Sequence, residues 1–174
     1  GNTLLNDGTL VLTGNGQIGT ENAANGSEMR IALASGKTAT LVIDSPNASF
    51  ASGATNNGFR VGEMGNGIVN QSDGTLSAAN FAVLGESLGS TGTYNISGGT
   101  LKVKTNNGAA PAGLPSLVVG RAGIGTMNIS GNANVQVMNG AQILLGNGTF
   151  NTVGFQTLAP NAGIATGVGT INQT

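Results

Sequence analysis

Apolar and polar residues alternate in short runs along this chain, and the runs recur. Residues 118–137, VVGRAGIGTMNISGNANVQV, read as strand, glycine turn, strand, Gly-Asn turn, strand. Related stretches cover 61–81, 83–103 and 144–158. In the hexapeptide GTMNIS (125–130), Met127 and Ile129 share one face and Thr126 and Asn128 the other, the signature of a strand with one side inward. Tyr94 with Ile96, and Leu41 with Ile43, repeat it. The doublets Val83-Leu84, Val118-Val119 and Leu144-Leu145 are apolar on both faces. Such a strand either packs against something outside or turns one residue into a corner.

Hexapeptides related to GTMNIS begin at Gly8, Ala39, Gly67, Gly92, Gly125, Gly148 and Gly169, at steps of 21 to 33 residues. Self-similarity at this period means a stacked-repeat architecture. A propeller needs about 40 residues and four strands per blade, and an immunoglobulin-like sandwich does not need near-identical repeats. The pattern therefore predicts an all-β chain, a right-handed parallel β-helix (β-solenoid) of about seven coils. One domain over 1–174 is expected, with loops protruding near 14–30, 45–58 and 102–116. At about 4.8 Å per coil the rod is roughly 35 Å long. Like positions then stack, so Asn70, Asn95, Asn128, Asn151 and Asn172 are expected to form an Asn ladder. Gly65, Gly89 and Gly123 are expected to supply positive φ at corners.

Composition narrows the chemistry. The hydrophobic share of 39% and the regular repeats oppose disorder, despite only 7% charged residues. Six Lys and Arg make no basic stripe, so no nucleic-acid partner is expected. No apolar run reaches the length of a membrane-spanning helix. His and Cys are absent, so a Ser nucleophile lacks its His base and thiolate metal sites are excluded. The glycine turns carry no Asp in the calcium-repeat position and no following helix to hold a phosphate. No catalytic, metal or cofactor residue is therefore assigned. The acids are scattered; Asp44 and Asp73 fall near each other in the alignment, and Glu63, Glu86 and Arg121 share a slot that suits a surface ion network. Sequons occur at Asn25, Asn47, Asn70, Asn95, Asn128, Asn147 and Asn172, of which the loop pair Asn25 and Asn47 are the better glycan candidates.

VVGRAGIGTMNISGNANVQV and GSTGTYNISGGTLKV resemble the Gly-rich strand repeats of bacterial surface proteins, including autotransporter-type passenger β-solenoids. The resemblance covers roughly 61–158. It implies an exported protein, extracellular or at the cell surface, that is structural or adhesive, and it brings no catalytic motif.

The two ends read as one repeat. Joined, GTINQT–GNTLL matches GTMNISGNANV and GIVNQSDGTL, with Gly1 and Asn2 on Gly131 and Asn132, Thr174 on Ser130, and Thr3 and Leu4 on Thr75 and Leu76. Two expectations follow: a subunit that polymerises head to tail, or a piece of a longer array. In the first, the interface is Gly1, Asn2, Thr3, Leu4 and Leu5 against Gly169, Thr170, Ile171, Asn172, Gln173 and Thr174. The functional expectation is an extracellular structural subunit that builds a filament or biofilm-matrix fibre, its partner itself. The alternative is an adhesin or glycan-binding passenger region, with glycans or a cell surface as partner. A β-helix carbohydrate-active enzyme is a third reading, opposed by the scattered acids.

Overall fold

The computed structural model describes residues 2–19, 28–52, 58–104, 116–138, 141–146, 150–151, 154–157 and 167–174. Among the described residues, every regular element is a β-strand. Coil one holds β1 (Thr3–Leu5), β2 (Gly8–Leu12) and β3 (Gln17–Ile18). Coil two holds β4 (Met29–Ile31), β5 (Thr38–Ile43) and β6 (Ser49–Ala51). Coil three holds β7 (Phe59–Val61), β8 (Asn66–Gln71) and β9 (Thr75–Ala78). Coil four holds β10 (Ala82–Leu84), β11 (Thr91–Ile96) and β12 (Thr100–Lys104). Coil five holds β13 (Ser116–Val119), β14 (Ile124–Ile129) and β15 (Asn134–Met138). After these come β16 (Gln142–Leu145), β17 (Phe150–Asn151), β18 (Gly154–Thr157) and β19 (Val168–Gln173).

Strands at the same place in successive coils pair in parallel, giving three sheets: β1-β4-β7-β10-β13-β16, β2-β5-β8-β11-β14-β19 and β3-β6-β9-β12-β15. This is a parallel β-helix. The first, second and third sheets follow chain order within a coil, so every hexapeptide that joins the stack lies in the second sheet.

Six rungs are described where about seven are expected. The difference lies at GTFNTV: β17 pairs antiparallel with β18, and β19 stacks directly on β14, Thr170 on Thr126 and Asn172 on Asn128. Only two residues separate Asn151 from Gly154, a connection that closes a local hairpin, whereas a parallel rung needs a full coil before its partner. The described rod is accordingly nearer 30 Å than 35 Å, at about 4.8 Å per rung. Of the expected loops, residues 20–27, 53–57 and 105–115 lie outside the described residues, as do Asn25 and Asn147.

The core follows from the alternation. Leu41, Val69, Tyr94 and Met127 stack as one inward column of the second sheet, and Ile43, Gln71 and Ile96 as the next. Ile31, Val61, Leu84 and Val119 line up from the first sheet, and Phe50, Leu76 and Leu101 from the third. Each fully buried side chain of this size contributes about 1.5–3 kcal/mol. The end coils are less covered, with Leu5, Leu10 and Ile18 at one end and Val135, Val137 and Ile171 at the other only partly buried.

One polar pair sits inside. The Tyr94 hydroxyl donates to Gln71 Oε1, and Gln71 Nε2 donates to the carbonyls of Gly74 (3.1 Å) and Thr100 (3.2 Å). Burial raises the Tyr94 pKa well above the ordinary phenol value, so the hydroxyl stays a donor at any working pH. Tyr94→Phe keeps the ring but strips Gln71 Oε1 of its partner. A loss of about 1–3 kcal/mol is expected, read as a lower urea midpoint at unchanged slope.

The doublets that are apolar on both faces have their explanation on the outside of the first sheet. Val83 and Val118 point away from the core and are buried with Phe81, with Leu144 packed alongside, as a second cluster. The corners differ from expectation. Gly89 has φ +79, and positive φ also falls just after the first-sheet strands, at Ala32, Gly62, Gly85, Gly120 and Gly146, but not at Gly65 or Gly123. Gly65 and Gly123 are needed for space: a Cβ there would lie 2.5 Å from the Lys37 and Ser90 carbonyls respectively.

Candidate functional site

The described surface divides into a charged side, an uncharged side and two open ends.

The charged side is built on the first sheet, whose central outward residues in coils two and three are Arg30 and Arg60. The Arg60 Nε lies 2.7 Å from Glu28 Oε1, and its Nη1 lies 2.7 Å from Glu86 Oε1. Glu86 Oε1 also accepts from Arg121 Nη1 at 2.6 Å. Arg30 pairs with Glu63 through both carboxylate oxygens. Lys37 reaches Asp7 at 3.0 Å, holding that carboxyl below its usual pKa, chiefly by the hydrogen bond. These pairs link coil one to two, two to three, three to four and four to five. Burial opposes the charge on Arg60, but the attraction of Glu86 and Glu28 outweighs it and the guanidinium pKa rises. Its Cζ also lies 4.7 Å from the Phe81 ring centroid, over the outer apolar cluster.

Of the expected Glu63–Glu86–Arg121 stack, only Glu86 and Arg121 meet; Glu63 turns to Arg30. The sequence reading missed Glu28, Arg30 and Arg60. Their signal was available: Met-Arg-Ile and Phe-Arg-Val are successive rungs with arginine at the same central place. Asp73 caps its own turn by accepting from the Gly74 amide at 2.8 Å, and Asp44 is exposed. Among the described residues, no three His, Cys, Asp or Glu side chains gather as a metal-holding group.

The uncharged side is the outer face of the second sheet. Asn95 Nδ2 donates to Asn70 Oδ1 at 2.8 Å, Asn128 to Asn95 at 2.7 Å, and Asn172 to Asn128 at 2.8 Å. All three bonds run toward the N-terminal coil. Asn151 stands apart, paired through its backbone to Gly154 in the hairpin. Val42 and Val11 continue the column below Asn70.

Among the described residues, the strands with a partner on one side only are β1, β2 and β3 at one end, and β16, β19 and β15 at the other. Leu4 and Val11 are exposed at the first, Ile143, Leu145 and Val168 at the second. Gly1 lies outside the described residues. Asn2 Oδ1 accepts from the Glu28 amide at 3.3 Å, and Thr3, Leu4 and Leu5 pair with Met29, Arg30 and Ile31. This corrects the register of the joined ends. Thr3 and Leu4 stand in the first sheet, whereas Thr75 and Leu76 belong to the third. The resemblance of the two segments reflects their shared strand pattern. The residues 169–173 fill β19, and the Thr174 amide donates to the Ile129 carbonyl at 3.0 Å.

Comparison with family models, curated proteins and solved structures finds no match to this chain. Among the described residues, no helix is long and apolar enough to cross a membrane.

Proposed function

We propose that this chain is a structural β-solenoid of an extracellular filament or matrix, lengthening head to tail as coil is set on coil. The extracellular setting rests on the likeness of its repeats to exported surface proteins. The observation that carries the rest is the complementarity of the two open edges.

Amides in a strand alternate in direction. Val168 and Thr174 donate to the carbonyls of Gly123 and Ile129 beneath them, so the amides of Gly169, Ile171 and Gln173 point off the rod. At the opposite end, the Leu12 carbonyl accepts from Asp44 above, so Thr9 and Val11 point off the rod the other way. Setting Gly8 over Gly169 brings Thr9 over Thr170 and Leu10 over Ile171, which continues those columns in kind, and places Val11 over Asn172. In the first sheet, Leu5 falls over Leu145. Two of the three sheets then run on across the joint by strand addition. Uncovered parallel edges of this kind are templates for association unless something blunts them. The same rule of growth serves for a coil of the same chain or of a second copy.

Proline separates this reading from mere stickiness. At Val11 or Gln173 it removes an amide that faces the open edge and breaks no ladder bond within the chain. Val11→Pro and Gln173→Pro are each expected to weaken end-to-end association about tenfold or more, the equivalent of one lost bond and its packing. Sedimentation velocity and electron microscopy across a concentration series make the comparison. A parent that stays monomeric, or proline variants that form the same rods, would overturn the proposal.

A further inference from the structure

We propose that the outer face of the second sheet binds an ordered water lattice, the surface of growing ice. Three ranks of side chains run along the rod on this face. One is Thr38, Asn66, Thr91, Ile124 and Val168. The second is Thr9, Thr40, Ile68, Thr93, Thr126 and Thr170. The third is Val11, Val42 and the four asparagines of the ladder. The register passes through six rungs without a bulge. Groups therefore repeat at about 4.8 Å along the rod and about 6.6 Å across it.

Three properties of this array choose the partner. First, no outward residue of the six strands is ionisable; the charges at its margin are Asp7 and Lys37, which pair with each other, and the exposed Asp44 just past the end of β5. The three ranks themselves offer a charged ligand no counterpart. Second, the polar groups are fixed before binding. Each ladder asparagine is held by its neighbours, and Thr91 Oγ1 donates to Asn66 Oδ1 at 2.6 Å. Each interior ladder amide keeps one N–H and one oxygen lone pair for solvent, repeated rung by rung. Such ladders also restrain the twist of a sheet. Third, threonine methyls and Val11, Ile124 and Val168 lie among the hydrogen-bonding groups, with these three aliphatics about half exposed. A rigid, uncharged array of hydroxyl, amide and methyl groups orders water into the same repeat at little entropic cost, and an ice surface is a periodic partner of that kind.

A neutral sugar is the main competitor. A hollow of about 200 Å³ lies between Val42, Asn70, Ser72, Asn95 and Ser97, roomy enough for one ring. Sugar sites are concave and use aromatic platforms. Among the described aromatic side chains, Phe50, Phe59 and Tyr94 are buried in the core and Phe81 lies over the first sheet, so none of these serves this face.

The experiment grows ice slowly in a solution of the intact chain and measures protein in ice and liquid, with serum albumin as the excluded control. The parent is expected to be retained in ice. Thr126→Lys and, on the exposed last rung, Thr170→Lys are expected to lower retention about tenfold, since one misplaced charge interrupts the uncharged array. Gln136→Lys, on the outside of the third sheet, is expected to leave it unchanged. Far-UV spectra and thermal midpoints establish that each variant is folded. Exclusion of the parent from ice, equal losses from Gln136→Lys and Thr170→Lys, or binding to crystalline chitin or soluble neutral sugars without ice retention would each overturn the assignment.

Discussion

Replacing Gly92 by alanine is expected to unfold the middle coils, although the change adds a single methyl. Gly92 is the second residue of β11, just past the turn that leads from the first sheet into the second. A Cβ on it would lie 2.2 Å from the Val61 carbonyl oxygen and 2.3 Å from the Gly85 nitrogen. Both atoms are backbone and both are committed: the Gly85 amide donates to that same Val61 carbonyl at 2.9 Å. No rotamer change relieves the clash, so the rungs must part. Overpacking by one methylene costs about 1–3 kcal/mol where side chains can move; against fixed backbone a loss of about 3 kcal/mol or more is expected. Gly89→Ala is the contrast. Its φ is +79 but its Cβ would meet nothing within 4 Å, so only the left-handed backbone is penalised, by about 1–2 kcal/mol. Thermal midpoints of the two variants decide the matter. If Gly92→Ala is no worse than Gly89→Ala, the corner is not closed by backbone contact.

This corner also shows what the sequence can and cannot reveal. Alternation around Met127, Tyr94 and Leu41 was enough for short strands, and the recurrence of Gly-Thr-x-Asn was enough for a stacked helix with an asparagine column. Both are local periodicities, legible without knowing which strand lies over which. The roles of the glycines were not legible in the same way. Whether a glycine serves positive φ, as Gly62 and Gly85 do, or mere space, as Gly65 does, depends on the coil beneath. The hairpin of Phe150 and Asn151 escaped because GTFNTV carries the same local signature as a true rung. Arg60 escaped because its partners Glu28 and Glu86 lie 32 and 26 residues away, one coil on either side. The ladder itself is fixed by backbone register, so its four amides fell into line once the rungs were known.

The second large effect lies in the core. Phe59 is fully buried, with its ring centroid 5.6 Å from that of Phe50 and 6.2 Å from that of Tyr94, the latter edge-on at 82°. Phe50 belongs to coil two and the third sheet, Phe59 to coil three and the first, Tyr94 to coil four and the second. The three rings therefore join three consecutive coils across all three sheets. Phe59→Ala leaves a cavity in the middle of the stack and is expected to lower stability by about 3–5 kcal/mol. Because each coil touches chiefly the coils beside it, the loss falls on two coil-to-coil contacts, not on the rod as a whole. Native-state hydrogen exchange should then show the amides of β5, β8 and β11 losing most protection, with β14 and β19 affected less. Leu10→Ala provides the scale. Leu10 is only partly buried, at the open edge of coil one, so the same kind of truncation there is expected to cost about half as much or less. Equal destabilisation by the two variants, or a uniform loss of protection from β2 to β19, would mean that the rod unfolds as one cooperative unit and that the aromatic trio has no special place in it.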